Sequence, residues 1–395
     1  MTKPPLLFLC HRIPFPPNKG DKIRSFNMLK VLSQRFDIYL GSFVDDPYDW
    51  QYASKLDKYC KQVFLLGQNK TWSKVKGLTA FLTGKSISEP YYANAKMQQW
   101  VDKTLHQQTI TQVFIYSSVM AMFTSAHHKT IHQVVDYVDV DSDKWRQYAE
   151  NKSGIGRWVY NREHHKLQAF ETQVCERSQH ALFVSDPEAE LFKQQLPANQ
   201  YRKVQGLLNG VDVDYFSPNS EMETISAQID VVFTGAMDYW ANVDAVMWFA
   251  KHVWPSIRTQ YPEANFYVVG GNPTAQVLAL NNIDGIVVTG RVKDVRPYIR
   301  NAKVSVAPLQ IARGIQNKVL EALAMAKPVV ATNMAIEGID AKNTHIKVTD
   351  DAEQFCSAVC YYLESTTEVP ESRQWIMDNL QWTATMSKLP ALFKV

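Results

Sequence analysis

The sequence predicts an α/β protein made of two doubly wound domains. Three observations carry this. Short apolar runs alternate with helical patterns along the whole chain, the order expected when helices cover a parallel sheet. The apolar runs are continuous rather than alternating, so both faces of each strand are covered. The alternation also falls into two series, separated at 217–228 by a polar segment without periodicity, SPNSEMETISAQ, which reads as a linker.

In the first series, residues 6–10 (LLFLC) form the opening strand. The Pro/Gly loop HRIPFPPNKGDK then leads into a helix over 23–36, whose inner face is Phe26, Leu29, Val31 and Leu32. A strand at 38–44, a polar helix reaching residue 59 and a short strand at 63–66 follow. Further strands are expected at 113–116 and 134–137, then a long helix at 158–178 and a strand at 181–184. The second series opens with a strand at 231–234, closed by Gly235, and a helix at 243–254. The strand at 266–269 ends in Gly270-Gly271, that at 285–288 in Thr289-Gly290-Arg291, and that at 304–307 in Pro308. A helix at 316–325, strands at 329–331 and 346–348, and a helix at 352–364 complete it. The expected domains are 1–216 and 229–370, with the amphipathic segment 371–392 packing back across the first. In open α/β sheets, ligands bind beyond the carboxyl ends of the strands, so the loops just named are where chemistry is sought.

Composition agrees with this reading and excludes others. At about 150 residues per domain, 395 residues allow two or three domains. With 46% hydrophobic and 21% charged residues, wholesale disorder is excluded. The net charge of +3 is unevenly spread: residues 1–215 hold 27 Lys/Arg against 21 Asp/Glu, whereas 216–395 hold 15 against 18. The basic front half suits an anionic surface, and the expected partner is the anionic face of a membrane, touched peripherally. No basic stripe interleaved with aromatics points to nucleic acid. Five cysteines, an odd number without a CxxC pair, indicate neither a disulfide framework nor a zinc site. The apolar run at 6–10 is too short for a signal sequence, and no stretch reaches 18 apolar residues. The expected location is cytoplasmic, at most peripheral at the inner membrane face.

The run Arg313-Gly-Ile-Gln-Asn-Lys-Val-Leu-Glu321-Ala-Leu-Ala-Met-Ala-Lys-Pro328 resembles the donor-binding motif of family 4 glycosyltransferases. Asn209-Gly210-Val211-Asp212 with Phe216, the stretch Pro262 to Gly270, and Thr289-Gly290-Arg291 with Asp294 are similar to other segments of that family. The resemblance runs from about residue 6 to 390. In the front half, His11-Arg12-Ile-Pro14 with Gly20-Asp21 and Arg24, and the stretch Val135 to Trp145, resemble a bacterial subgroup associated with exopolysaccharide loci and exosortase-type sorting systems. The resemblance implies the GT-B fold, two Rossmann-like domains facing a cleft. It also implies retaining transfer of a sugar from a UDP- or GDP-sugar to a saccharide or polyprenyl-diphosphate-linked acceptor, with no metal or other cofactor.

The resemblance also assigns roles. Glu321 matches the carboxylate that bonds the donor's ribose hydroxyls, and a diol supplies the two donors that a carboxylate on an apolar helix needs. Arg313 stands where the family has an earlier acidic residue. With Lys318, three residues from Glu321 and hence on its helix face, it is expected to stabilise the leaving diphosphate. Gly20, Gly235, Arg291 and Asn317 complete the donor set. A glycine before a helix lets backbone N–H groups approach an anion. The loop after the first strand of the second series, 235–242, lacks the Arg and Lys that many family members carry there. Asp139, at a strand end, is expected to bond the acceptor or stabilise a cationic centre, with Asp141, His11, Asp21 and Arg24 on the acceptor side. A core position is not expected for Lys22 or Arg24. Asp139, Asp141 and Asp143 also permit a metal reading, or plain Asx turns and a helix cap. Two other functions stay open: a nucleotide-sugar 2-epimerase, which would act on the donor without an acceptor, and a non-catalytic binding protein that has lost the acid at position 313.

Overall fold

The computed structural model describes residues 3–394 apart from 18, 151, 313, 314, 341, 343, 345, 366 and 367. Its contacts divide the chain into two units: residues 1–207 with 386–395, and residues 208–385.

The first unit is a seven-stranded, all-parallel sheet in the order β3-β2-β1-β4-β5-β6-β7. The strands are β1 (Pro5–Cys10), β2 (Asp37–Val44), β3 (Gln62–Gly67), β4 (Gln112–Tyr116), β5 (His132–Val138), β6 (His180–Phe183) and β7 (Val204–Gly206). Leu6 to Cys10 are wholly buried, as a central strand covered by helices requires. The helices are α1 (Gly20–Ser33), α2 (Lys70–Leu78), α3 (Ala80–Thr83), α4 (Ser88–Tyr92), α5 (Ala95–Gln107), α6 (Asp141–Glu150), α7 (Gly154–Arg177) and α8 (Asp186–Lys193). The polar helix expected before residue 59 is instead a 3-10 stretch, Pro47–Leu56, started by the Asp46 side chain accepting from the Tyr48 N–H.

The second unit is a six-stranded parallel sheet in the order β10-β9-β8-β11-β12-β13. Its strands are β8 (Ile229–Thr234), β9 (Phe266–Val269), β10 (Ile286–Gly290), β11 (Ala302–Ala307), β12 (Val329–Ala331) and β13 (Ile346–Val348). Around them lie α9 (Trp240–His252), α10 (Trp254–Gln260), α11 (Ala275–Leu278), α12 (Arg296–Asn301), α13 (Asn317–Ala324), α14 (Ala352–Glu364), α15 (Pro370–Asn379) and α16 (Trp382–Thr385). Its core packs Phe233, Phe249, Trp254, Phe266, Leu320, Leu323 and Phe355.

Residues 208–216 and the tail differ from expectation. Val211 and Val213 join the core of the second unit, and Arg373 of α15 donates to the carbonyls of Val213 (3.0 Å) and Phe216 (2.8 Å). The segment 371–392 is not one element returning to the first unit. It breaks at Leu380, whose carbonyl accepts from the Val211 N–H (2.8 Å), and α15 and α16 stay with the second unit. From residue 386 the chain joins the first unit, where Phe393 packs on Phe36 and Phe114.

In both sheets the strand order reverses beside the first strand of the series, between β1 and β4 and between β8 and β11. A crevice opens at the carboxyl ends at such a reversal.

Candidate functional site

In the second unit, the loops leaving β8 and β9 meet backbone to backbone. A Cβ on Gly270 would stand 1.6 Å from the Gly235 carbonyl oxygen, so only glycine fits there. The Gly235 N–H donates to Val269 O (3.0 Å) and the Met237 N–H to Gly271 O (2.9 Å). Gly270→Ala should therefore destabilise the unit by about 1–3 kcal/mol, read as a lower urea midpoint, because a backbone oxygen cannot swing aside as a side chain would.

Gly235 has a second neighbour. A Cβ there would come 2.6 Å from Asn242 Nδ2. Asn242, on the first turn of α9, donates from Nδ2 to Ala236 O (2.9 Å) and accepts at Oδ1 from Lys318 Nζ (2.8 Å). These two partners fix the orientation of the amide. The Lys318 ammonium also lies 5.0 Å from the centre of the Phe233 ring, within cation–π range. α13 thus brings an ammonium to the carboxyl ends of the strands, where Asn242 holds it.

α13 buries Val319, Leu320, Ala322 and Leu323 and leaves Asn317, Lys318 and Glu321 half-buried. Asn317 Oδ1 is itself buried, with no partner among the described residues. Burial pulls Lys318 down to about 8 against the opposing field of Glu321. Burial likewise pushes Glu321 up to about 7, against the pull of Lys318. The pair is close enough to interact but forms no ion pair, and among the described residues each charge is short of partners that a polar anionic ligand with hydroxyls supplies. Arg291, exposed after β10, runs beside Gly271, where an added Cβ would lie 3.5 Å from its Nε. Arg313 lies outside the described residues.

In the first unit, His11 leaves β1 beside the reversal. Its ring stacks on Tyr116 of β4 (5.8 Å between centroids, 9° between planes) with Tyr92 edge-on. Nε2 lies 3.6 Å from Asp21 Oδ2. Burial opposes the charged ring, but Asp21 and Cys10 outweigh it and lift His11 to about 9. Asp21 also pairs with Arg12, whose Nε lies 3.0 Å from Asp45, and Asp45 meets Lys70 at 3.3 Å. Burial raises Asp21, but His11 and Arg12 overcome it and hold the carboxyl well below its usual range. Gly20 opens α1, and a side chain there would meet nothing within 4 Å.

Two expectations need correction. Arg24, expected on the acceptor side, is 1% exposed. Its Nε donates to Asp136 Oδ2 (2.8 Å) and its Nη1 to Leu207 O (2.7 Å). Lys22 is buried too, donating to Asp49 (2.7 Å). A buried charge persists only when paired and hydrogen-bonded, and these partners lie 112 and 27 residues away. Asp139 and Asp141 share one cation, Lys144, whose Nζ donates to both (2.8 and 2.9 Å), and their side chains stay 24% and 44% exposed. Asp143 accepts from Arg146 (2.6 Å) and Gln147 (2.7 Å). Among the described residues no group of three or more His, Cys, Asp or Glu is placed to hold a metal ion. The residues that sequence reasoning missed are Asn242 and Arg12. Arg12 was legible from its place after β1, next to His11, whereas Asn242 carries no charge to draw notice.

Residues 228–365 match the family model described as glycosyl transferases group 1. No curated protein sequence matches the chain. Among solved structures, the chain is similar over 98% of both chains to Anabaena Alr3699/HepE in complex with UDP and glucose (14% identity, TM-score 0.66). It is similar to sucrose-phosphate synthase from Thermosynechococcus elongatus (13% identity, TM-score 0.69, 99% of this chain and 98% of that one). It is also similar to WaaG, a glycosyltransferase involved in lipopolysaccharide biosynthesis (15% identity, TM-score 0.66, 99% and 100%). The two parallel-sheet units have the fold of these GT-B glycosyltransferase structures. No helix among the described residues is long and apolar enough to cross a membrane.

Proposed function

We propose that the protein is a retaining family 4 glycosyltransferase that moves a sugar from a UDP- or GDP-sugar to a saccharide or polyprenyl-diphosphate-linked acceptor in surface-polysaccharide assembly. The observation that carries this reading is the Lys318–Glu321 pair on α13, two half-buried, incompletely partnered charges at the carboxyl ends of the strands. In this reading the Glu321 carboxylate accepts from the ribose diol. Lys318, held by Asn242, meets the diphosphate and stabilises the charge that develops as it leaves. Asn317, Gly235, Arg291 and Arg313 belong to the same donor set. The acceptor hydroxyl enters on the face the diphosphate leaves, so no protein nucleophile is required. His11 and Asp21 are assigned to the acceptor side. Asp139, which bonds the acceptor or stabilises a cationic centre, and Asp141 are assigned there too, both held by Lys144, and no metal is assigned a part.

A thermal-shift screen with UDP- and GDP-sugars tests the reading: stabilisation is expected from one base series, and none from either would overturn it. The pH dependence is a second test. The donor binds the form with Glu321 charged and Lys318 charged. Affinity should fall below about pH 7, where Glu321 takes up a proton, and above about pH 8, where Lys318 loses one. Calorimetric titrations across that range should give a bell. Glu321→Gln should remove its acid limb and Lys318→Met its alkaline limb.

A further inference from the structure

We infer that the first unit docks on an anionic lipid surface through a basic, apolar patch formed by α2, α3 and the start of α7. α2 exposes Trp72, Val75 and Leu78 at three-residue spacing, one side of a helix. Leu82 on α3 is 90% exposed and Ile155 on α7 is 82% exposed, with Trp158 one turn further on also exposed. These elements form one surface. The Phe81 and Trp158 rings stack at 6.2 Å. Arg162 of α7 lies 4.7 Å from the centre of the Phe81 ring and donates to Ala80 O at 2.7 Å. Aliphatic side chains this exposed on a folded unit mark a contact surface.

Charge identifies the partner. From residue 70 to residue 88, which spans α2 and α3, the chain has no Asp or Glu and holds Lys70, which pairs with Asp45 at 3.3 Å, and Lys74, Lys76 and Lys85. From 151 to 162 it again has none, with Lys152, Arg157 and Arg162. Tryptophans and long aliphatic residues bordered by lysines are the chemistry of the interface between acidic headgroups and acyl chains. An acidic protein would match the lysines but not call for bare Leu82 and Ile155. A second copy would match the apolar residues but bring its own lysines against these. The patch shares no residue with the donor set, so this inference stands apart from the donor reading.

The test is co-sedimentation of the full chain with phosphatidylcholine vesicles, with and without phosphatidylglycerol. Binding is expected only to the phosphatidylglycerol-containing vesicles and should weaken as salt is added. Each lysine removed near the surface should weaken binding about fivefold, equivalent to about 1 kcal/mol, so Lys74→Gln/Lys85→Gln should lose about 25-fold. Leu82→Ser/Ile155→Ser should lose at least about tenfold even at low salt. Equal binding to both vesicles, no binding to either, or variants that bind like the parent would overturn the inference. So would a dimer in sedimentation velocity that Leu82→Ser/Ile155→Ser dissociates without vesicle binding, which would give the patch to a second copy. Thermal stabilisation by the nucleotide-sugar, read on the same variants, should be unchanged, so failure of the donor reading registers separately.

Discussion

Glu321→Ala should abolish the thermal stabilisation that a nucleotide-sugar confers while leaving the unliganded protein as stable as before, or slightly more so. The two halves of this expectation come from one feature. The carboxylate is half-buried on a helix whose other face is Val319, Leu320, Ala322 and Leu323, and burial has pushed it up to about 7. No hydrogen bond from a described residue satisfies it, so the alanine removes an underpartnered charge at the cost only of its field on Lys318. The donor loses more. A ribose diol gives a carboxylate two charge-assisted hydrogen bonds, each worth roughly 1.5–3 kcal/mol, so the affinity should fall by at least about a hundredfold. Glu321→Gln, which keeps the shape and one acceptor oxygen, should lie between. A parental thermal shift in the alanine variant would place the donor elsewhere.

The largest effect on folding is expected at Arg24. Arg24→Ala should destabilise the first unit by about 3–5 kcal/mol, the usual consequence of removing one member of a buried pair, because Asp136 is fully buried. The loss spreads beyond the pair. Leu207 O gives up its Nη1 donor, and Asp136 also receives the Val138 N–H at 2.9 Å, where the backbone takes a left-handed turn with φ of 72°. Urea unfolding followed by amide exchange should show early opening of α1 and β5. The double variant Arg24→Met/Asp136→Leu should recover much of the loss, since neither charge is then stranded. A loss under about 1 kcal/mol in Arg24→Ala would mean that water reaches Asp136 and the site is not sealed.

These two residues also show what the sequence makes legible. Strands such as Leu6 to Cys10 are readable because a strand covered on both faces must be apolar throughout. The α13 motif is readable because a carboxylate and an ammonium three residues apart on an apolar helix form a local pattern. Arg24 is not, because its burial depends on Asp136, 112 residues away, and a lone arginine in a polar-looking helix start carries no sign of that partner. Asp139 shows a related limit: three acids in five residues are legible as a cluster, but that Lys144 bonds two of them emerges only from the fold. The helices α2 to α5 pass unassigned because α2 and α3 carry apolar residues on the outside, which blurs the inside–outside contrast that periodicity needs.

The pairing of Val211 with the start of α16 has a consequence for how the chain could be cut and rejoined. Val211 donates to Leu380 O and its carbonyl accepts from the Trp382 N–H, with Gly210 so close that an added Cβ would lie 2.7 Å from the Trp382 nitrogen. The second unit is an insertion within the first, and its incoming and outgoing backbones run side by side at about the 5 Å spacing of neighbouring strands. A cassette whose ends already touch adds no loop to be closed when it is excised or its termini are relocated. Residues 208–385 are accordingly the natural piece to exchange whole between chains of this design.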